Sequence, residues 1–344
     1  MIDIIAGTRP ELIKLAPVIY QLQKEGTDYR LILSGQHYDY EMLYVFIEDF
    51  DLKNLVISPP AESIDFAHKF SLLTIKLSRL VMADKVVVQG DTDTALAGAL
   101  VARKNHNTLY HVEAGLRSHN WKQPEEHNRR IIDRISDVLF APTDYAKKNL
   151  IREGIHPEKQ RIYVTGNTVI DAIKIVESKL KPVDVPEGFV YFTMHRAETV
   201  DNRKMLGTVL TTLKHIDEQL VWPLHPRTRR RINGFNLKIP KNVTVIKPVS
   251  YLESLWLLKN CKFVMTDSGG LVEEATYFRK FTLILRKYND RPEACDYGYA
   301  AMTFLDPEKI IAYARLAPQM EVPRGPSPYG DGRAAERIVR CILG

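Results

Sequence analysis

Cysteine is scarce in this chain, and its three copies lie far apart. Cys261, Cys295 and Cys341 form no C-x-x-C pair and match no Cys/His spacing that is typical of a zinc site. Neither a disulfide framework nor a structural zinc site is therefore expected, and the composition favours a reducing compartment. We expect no bound metal.

Long hydrophobic runs and a strong excess of one charge sign are also missing. No stretch approaches the roughly 18 consecutive apolar residues of a membrane span, and MIDIIAGTRPE has no basic segment before a long apolar one. We therefore expect a cytoplasmic protein without a membrane partner.

The 48 Lys and Arg residues stand among 42 Asp and Glu residues, a net charge of +6. This balance suits an enzyme with an anionic ligand and predicts no nucleic-acid partner.

Short β-rich runs alternate with amphipathic helical stretches, and the alternation occurs twice. A chain of 344 residues is longer than one hydrophobic core usually serves. The pattern predicts an α/β protein with two Rossmann-like domains and parallel sheets, divided into residues 1–168 and 169–327 near a proline-punctuated segment. The runs lie at 2–6, 30–34, 85–89, 109–113, 138–142 and 161–164, and then at 189–193, 220–224, 243–246, 262–266, 281–285 and 301–305.

Polar segments follow these runs. In open parallel sheets ligands bind at the carboxyl ends of the strands, so we expect the segments to line one cleft between two domains that face each other. They are GTRPE, SGQH, QGDTDT, EAGLR, APTD and TGN in the first half, and MHRAE, HPRT, KPVSY, TDSGG and RKYNDRPE in the second.

The first of these segments, GTRPELIKLAP, has two interpretations. Thr8 and Glu11 match the S/T-x-x-E capping box, and Pro10 suits a first helical turn, so the segment forms a helix start. The same N-terminus favours a bound anion, which Arg9 and Lys14 would also attract. Spacing alone leaves both interpretations open.

Asp91, in QGDTDTALAGALVAR, is ambiguous in a similar way. An aspartate at this position is a common N-cap for a helix, and the small residues Ala95, Gly98 and Ala99 would pack that helix closely on the sheet. The alternative is a catalytic carboxylate at the strand end.

In the second half, TDSGGLVEEATYF starts a helix directly after a strand. Gly269 and Gly270 allow the backbone to approach a bulky anion such as a diphosphate. Glu274 either binds a ribose or complements the helix dipole.

His195 and His225 each follow an apolar strand, with an arginine close behind each histidine, and this pattern predicts phosphate contact. No third ligand has the spacing of a metal site.

Together these motifs closely resemble the non-hydrolysing UDP-N-acetylglucosamine 2-epimerases, which have the GT-B fold. The matching stretches run in order over nearly the whole chain. They are GTRPELIKLAP, GQHYDYEM, VVVQGDTDT, HVEAGLRS, PEEHNRRIIDRISDVLFAPT, VTGNTVIDA, MHRAE, HPRT, TDSGGLVEEA, RPEA and YGDGRAAERI.

The resemblance implies reversible conversion of UDP-GlcNAc to UDP-ManNAc at sugar C2. That C–H bond has no adjacent carbonyl to acidify it, so the family expels UDP from C1 while C2 loses its proton, and adds UDP back to the resulting 2-acetamidoglucal. The resemblance implies no cofactor.

Carried over residue by residue, the resemblance also assigns the site. Acid–base work needs carboxylates on both faces of the ring, and the departing UDP needs positive charge. The catalytic positions are Asp91, Glu113, Glu125 and His195; the substrate-binding positions are Arg9, Lys14, His225, Ser268, Gly269, Gly270, Glu274 and Arg291.

Two further features are implied by the resemblance. Gln36 and His37 match the region where bacterial members bind a second, activating UDP-GlcNAc, although a further glutamine of that pattern is missing and Val272 stands where members often have Gln. Residues 328–344 match a tail that packs back on the first domain. The family also implies a homodimer.

The alternatives differ in chemistry. A GT-B glycosyltransferase using a UDP-sugar shares the fold and the diphosphate site. A 2-epimerase of a modified UDP-HexNAc, such as a diacetamido uronic acid derivative, would share the acids. A hydrolysing epimerase would release UDP, and a nucleotide-sugar sensor would bind without turnover.

Overall fold

The computed structural model describes residues 1–35, 40–59, 65–156 and 158–344, and strands and helices alternate along them. The first strands and helices are β1 (Ile2–Ala6), α1 (Arg9–Lys24), β2 (Tyr29–Leu33), α2 (Tyr40–Asp49), β3 (Leu55–Ile57), α3 (Phe66–Leu80), β4 (Lys85–Gln89), α4 (Asp93–Lys104), β5 (Thr108–Val112), α5 (Pro124–Ile135), β6 (Val138–Ala141), α6 (Asp144–Arg152), β7 (Arg161–Val164) and α7 (Thr168–Val176). They are followed by β8 (Val190–Thr193), α8 (Ala197–Val200), α9 (Arg203–Leu213), β9 (Leu220–Pro223), α10 (Pro226–Gly234), β10 (Val243–Ile246), α11 (Tyr251–Asn260), β11 (Val264–Thr266), α12 (Gly269–Tyr277), β12 (Thr282–Ile284), α13 (Glu293–Asp296), β13 (Ala300–Met302), α14 (Pro307–Leu316) and α15 (Ala334–Leu343).

The chain divides into two compact units. The first unit comprises Met1–Val176 and Tyr329–Gly344, and the second comprises Glu177–Pro328. Helix α7 therefore belongs to the first unit, whereas the sequence pattern places the boundary just before it.

In the first unit seven parallel strands form a sheet in the order β3-β2-β1-β4-β5-β6-β7. Its inner strands are continuous apolar runs because helices cover the sheet. Gly98 of α4 lies so close to β1 that an added Cβ would come within 2.8 Å of Ile5 Cδ1. The expected close packing of this small-residue helix on the sheet is confirmed.

The last helix, α15, packs against α1 and α7 in the first unit. Asp171 of α7 accepts a hydrogen bond from the Ala335 N–H at 2.8 Å, and the Asn167 N–H donates to the Tyr329 carbonyl at 2.7 Å. The chain therefore passes through the second unit and then returns, and these contacts join its last residues to the first unit.

The second unit has six parallel strands in the order β10-β9-β8-β11-β12-β13. Trp222 and Phe192 meet edge to face with ring centroids 4.8 Å apart in its buried core. The prediction of an α/β protein with two parallel, Rossmann-like sheets is confirmed.

One strand was not predicted, and among the strand ends that differ by a few residues, one affects the candidate site. Strand β3 lies at the edge of its sheet with none of its residues buried, and its apolar run LVI is only three residues long, shorter than the runs that mark a strand in sequence. Strand β5 ends at Val112, not at Glu113 as the sequence pattern predicts. Glu113 instead has φ of 70° and lies in the turn after the strand.

Candidate active site

The turn after β4 presents Asp91. Gly90 has φ of 71°, a conformation that glycine adopts without steric cost, and Thr92 rather than Asp91 caps α4 by accepting a hydrogen bond from the Ala95 N–H at 3.1 Å. The capping interpretation of Asp91 is therefore wrong. Its carboxylate pairs instead with Arg129 at 2.5 Å.

Glu113 follows the neighbouring strand β5 and is buried. Lys14 of α1 and Gln89 at the end of β4 both donate hydrogen bonds to its carboxylate, one to each oxygen. A left-handed backbone is uncommon for a non-glycine residue, and such strained residues cluster at active sites. Glu113 Oε2 also lies 4.0 Å from where a Cβ on Gly90 would be, so the turns that carry Glu113 and Asp91 are neighbours.

Glu11 connects two loops beneath these turns. Its carboxylate accepts hydrogen bonds from the Gly7 N–H at 3.0 Å and from the hydroxyls of Thr8 and Thr92 at 2.7 Å each. The expected capping box is not formed, because the Thr8 side chain makes no cap hydrogen bond and Glu11 accepts from the backbone N–H of Gly7 rather than from that of Thr8. Burial raises the pKa of Glu11 to about 7, although these three donors act to lower it.

Arg9 is the first residue of α1 and is half-buried. It lies five residues, about 1.4 helical turns, before the buried Lys14. The structure thus places both predicted cations on the helix that follows β1.

Glu125 and Glu126 occupy the first turn of α5 and differ sharply. Glu125 is exposed, whereas Glu126 is fully buried. Glu126 accepts hydrogen bonds from the Ser118 N–H at 2.9 Å and from Arg130 Nε at 3.1 Å. Despite burial, these donors hold the pKa of Glu126 below its ordinary value. Glu126 is therefore a structural anion, and Glu125 is the member of the pair that solvent reaches.

A chain of ion pairs runs through α5 and joins the turns after β4 and β5. We call this set of eight side chains the charged ring, because His111 Nε2 closes it by contacting the Gly90 carbonyl at 2.8 Å, next to Asp91. The pairs, in order, are His111 with Asp133, Asp133 with Arg117, Arg117 with Glu153, Glu153 with Arg130, Arg130 with Glu126, Glu126 with Arg129, and Arg129 with Asp91.

In the second unit, Asp267 organises the residues after β8. The buried Asp267 carboxylate accepts hydrogen bonds from the backbone N–H groups of His195 and Arg196 at 2.8 Å each, and its other oxygen lies 3.3 Å from His195 Nδ1. The His195 side chain remains half-exposed. Asp267 Oδ1 makes no hydrogen bond among the described residues, so the imidazole faces this carboxylate at one edge without being hydrogen-bonded to it.

Ser268 begins helix α12, where the predicted anion site lies. Its hydroxyl accepts a hydrogen bond from the Leu271 N–H at 3.4 Å. A Cβ on Gly269 would lie 2.6 Å from Arg291 Nη1, whereas a Cβ on Gly270 would meet nothing within 4 Å. Glu274, in the same helix, is buried.

Arg291 lies over this helix start and is held by two carboxylates. Its Nε donates to Glu273 at 2.5 Å and its Nη1 to Asp290 at 2.6 Å. Arg286 also donates to Asp290, at 2.9 Å, but its buried Nε and Nη2 find no acceptor among the described residues. Burial, and then the nearby Arg286, lower the pKa of Arg196 below its ordinary value. Three arginines therefore concentrate positive charge beside the α12 N-terminus.

His225 caps α10, accepting a hydrogen bond from the Arg227 N–H at 3.2 Å. Partial burial and the neighbouring His195 lower the pKa of His225. The two histidines predicted to contact phosphate therefore lie close enough to interact electrostatically.

The structure brings some, but not all, of the predicted residues together within each unit. The first unit groups Asp91 and Glu113 with Lys14, and the second groups His195 and Ser268 with others at the α12 start. Gln36 and His37 lie outside the described residues. Over residues 1–35, 40–59, 65–156 and 158–344, no cluster of His, Cys, Asp or Glu side chains is arranged to hold a metal ion. In the same ranges, no helix is long and apolar enough to cross a membrane.

Several important residues escaped the sequence analysis. Gln89, Asp267 and Arg286 stand within quoted segments but were assigned no role. The Glu126 pairs were detectable, because an acid followed by arginines at i+3 and i+4 lies on one helix face.

One Rossmann-like unit has strained and buried carboxylates, and the other has a helix start lined by cations. These features define a class of enzymes that combine acid–base chemistry with binding of a phosphate-bearing substrate. Comparison with known proteins identifies the family. A family model described as UDP-N-acetylglucosamine 2-epimerase matches residues 21–343, and the chain belongs to this family. The resemblance predicted from the sequence is confirmed.

Individual relatives match over their full length. The UDP-N-acetylglucosamine 2-epimerase of Methanocaldococcus jannaschii is 39% identical, over 99% of this chain and 98% of the relative. A crystal structure of the enzyme from that organism, in complex with UDP-GlcNAc and UDP, matches with a TM-score of 0.89 at 38% identity and covers 99% of both chains. The UDP-2,3-diacetamido-2,3-dideoxy-D-glucuronate 2-epimerase of Pseudomonas aeruginosa is 34% identical over 98% of both chains.

Proposed function

We propose that the protein interconverts UDP-GlcNAc and UDP-ManNAc by eliminating UDP to give 2-acetamidoglucal and adding UDP back. The observation that carries the proposal is Glu113, a buried carboxylate in a strained conformation beside the turn of Asp91. Such a pair suits transfer of the C2 proton.

The first unit supplies the acid–base groups. Lys14 fixes Glu113 and Arg129 fixes Asp91, so each carboxylate is oriented by a cation of its own. Glu125 is exposed at the start of α5 and completes the set of three acids. Oriented acids of this kind act on opposite faces of a sugar ring in glycoside hydrolysis, where the transition state resembles an oxocarbenium ion. Elimination from C1 passes through a similar charge distribution.

The second unit supplies the groups for UDP. Backbone N–H groups at the α12 start, where Ser268 and Gly269 lie, favour an anion. The open space at Gly270 admits the diphosphate, and Arg291 adds charge that stabilises UDP as it departs. Glu274 is the proposed ribose ligand.

His195 and His225 complete the proposed diphosphate site. His195 Nδ1 lies 3.3 Å from Asp267, and the half-exposed side chain leaves the imidazole accessible to the leaving group. The lowered pKa of His225 favours a neutral imidazole at this position, which can donate one hydrogen bond to phosphate. Arg9 is the proposed phosphate ligand of the first unit.

Elimination and re-addition conserve the oxidation state of the sugar, so the reaction needs no redox cofactor. Incubation of UDP-GlcNAc without any acceptor tests the proposal. We expect UDP-ManNAc to form until the two nucleotide sugars reach equilibrium. Unchanged UDP-GlcNAc would contradict the proposal and favour a glycosyltransferase or a sensor, and stoichiometric UDP with free ManNAc would favour a hydrolysing epimerase.

A second candidate substrate is a UDP-linked diacetamido uronic acid. The observation that favours it is the similarity to the Pseudomonas aeruginosa enzyme over the whole chain. Competition between the two nucleotide sugars distinguishes them: kcat/KM is expected to be higher for UDP-GlcNAc, and the opposite order would assign the modified sugar.

We further propose that the enzyme is a cytoplasmic homodimer, as the family resemblance implies. Light scattering with size separation tests the oligomeric state. A monomer mass at micromolar concentration would contradict a stable dimer.

A further inference from the structure

We infer that His111 is held as an imidazolium cation and positions the Gly90–Asp91 turn for the reaction proposed above. His111 lies on β5 with no exposed surface. Its Nδ1 is 2.7 Å from Asp133 Oδ1, and its Nε2 is 2.8 Å from the Gly90 carbonyl oxygen. It does not touch the proposed substrate groups itself, so its role is one of positioning.

The two contacts decide the protonation state. A carbonyl oxygen only accepts hydrogen bonds, so Nε2 must donate to Gly90. A carboxylate oxygen also only accepts, so Nδ1 must donate to Asp133. A neutral imidazole carries one N–H and satisfies one contact, whereas the imidazolium satisfies both.

Asp133 remains a carboxylate, which excludes the alternative in which it donates a proton to Nδ1. Its second oxygen accepts a hydrogen bond from the Gly115 N–H at 3.2 Å and pairs with Arg117 at 2.7 Å. Although burial alone would raise it, Arg117 and His111 hold the pKa of Asp133 below its ordinary value.

The charge balance of the ring agrees with this protonation state. A buried charge is costly unless it is compensated. The ring is neutral only when His111 is charged, because its cations are then His111, Arg117, Arg129 and Arg130, and its anions are Asp91, Glu126, Asp133 and Glu153.

His111 acts on Asp91 through the backbone. The peptide between Gly90 and Asp91 is fixed by His111 at the Gly90 carbonyl, while Asn128 donates to the Asp91 carbonyl at 2.9 Å. The Gly90 N–H donates to Val112 at 3.1 Å. Because both carbonyls are fixed, the Asp91 side chain can point in few directions. A small misorientation of a catalytic group lowers the reaction rate strongly.

The protonation state is tested in the wild-type protein, without substrate. Proteins with nitrogen-15 in the histidine rings, wild type and His111→Gln, identify the His111 resonances by difference. We expect both His111 ring nitrogens to carry a proton at neutral pH. A spectrum in which only one ring nitrogen is protonated would overturn the inference, whether or not the protein is an epimerase.

The positioning role is tested with two variants that each keep one hydrogen bond. The Gln amide of His111→Gln reaches the place of Nε2 and still donates to Gly90, whereas the Asn amide of His111→Asn replaces Nδ1 and donates only to Asp133. We expect kcat to fall about tenfold in His111→Gln and about a hundredfold in His111→Asn, with KM changed less than about twofold in both.

The outcomes separate this inference from the proposed function. Equal kcat in the wild type and His111→Asn, with both proteins folded by circular dichroism, would overturn the positioning role while the epimerase assignment stands. A rise in KM in both variants with no change in kcat would also overturn the positioning role. An inactive wild type would contradict the proposed function and with it the positioning role, whereas the nitrogen-15 spectrum would still decide the protonation state.

Discussion

The two units treat their charged residues differently. In the first unit the cations of the charged ring are each paired with carboxylates of the same ring, and Lys14 is buried against Glu113. In the second unit His195 is half-exposed, and two nitrogens of Arg286 have no acceptor among the described residues. Carboxylates that are paired on both sides are held in fixed directions, which suits proton transfer. Arg286 pairs with Asp290 through one nitrogen only, and the exposed edge of His195 is open, which suits a phosphate ligand. The comparison therefore supports the proposed division, in which the first unit supplies the acid–base groups and the second supplies most of the UDP ligands.

The largest effect is expected from Glu113→Gln. The substitution removes the acid–base function and leaves Lys14 without its anion, so kcat should fall about 10³-fold. UDP affinity measured by calorimetry should stay within about twofold, because Glu113 is not one of the proposed UDP ligands, most of which lie in the second unit. Glu25→Gln, a change at an exposed glutamate after α1, is the matched control and should leave both quantities unaltered. If Glu113→Gln loses UDP affinity while Glu25→Gln keeps it, the proposed difference between the two units is contradicted.

The next effect concerns Glu11 and pH. Its pKa is about 7 in the folded protein and about 4.5 when unfolded, so the folded state binds more protons between these values. The stabilising contribution is complete below pH 4.5 and is lost as the pH rises through 7. The free energy of unfolding of the wild type should therefore fall by about 3 kcal/mol relative to Glu11→Gln over this range.

Chemical denaturation at several pH values measures this difference. Asp171, whose pKa burial raises to about 6, is present in both proteins and cancels. A difference between wild type and Glu11→Gln that does not change with pH would contradict the assigned protonation of Glu11.

A smaller effect is expected from Arg291→Lys. Lysine keeps the charge but loses the planar fork that meets Glu273 and Asp290, so the cation is no longer held over Gly269. The Kd for UDP should rise about tenfold, while solvent exchange at sugar C2 in enzyme saturated with UDP-GlcNAc is affected less. Arg324→Lys, at an exposed arginine, is the control. An unchanged Kd would remove Arg291 from the UDP site.

The smallest effect distinguishes the two glycines of α12. Gly269→Ala places a methyl group 2.6 Å from Arg291 Nη1, where the guanidinium is pinned, so stability should fall by about 1 kcal/mol. Gly270→Ala meets nothing within 4 Å and should be neutral or slightly stabilising. Thermal unfolding of the two variants measures the difference, and equal stability would contradict the packing described here.

The sequence predicts the sheets well because continuous apolar runs mark buried parallel strands. It fails at β3, which is short and not buried, and it could not place Glu113 outside β5, because a left-handed residue leaves no composition signal. The same limit applies to the ring: Asp133 contacts His111 across 22 positions of sequence. Local spacing predicted a capping role for Asp91, but Thr92 takes that role once α4 packs.

Proton NMR of UDP-GlcNAc and enzyme in heavy water tests the central claim most directly. The account predicts that the C2 proton signal disappears from both UDP-GlcNAc and UDP-ManNAc, because a carboxylate of the first unit exchanges its proton with solvent before returning it. UDP-ManNAc that forms with protium retained at C2 would contradict it.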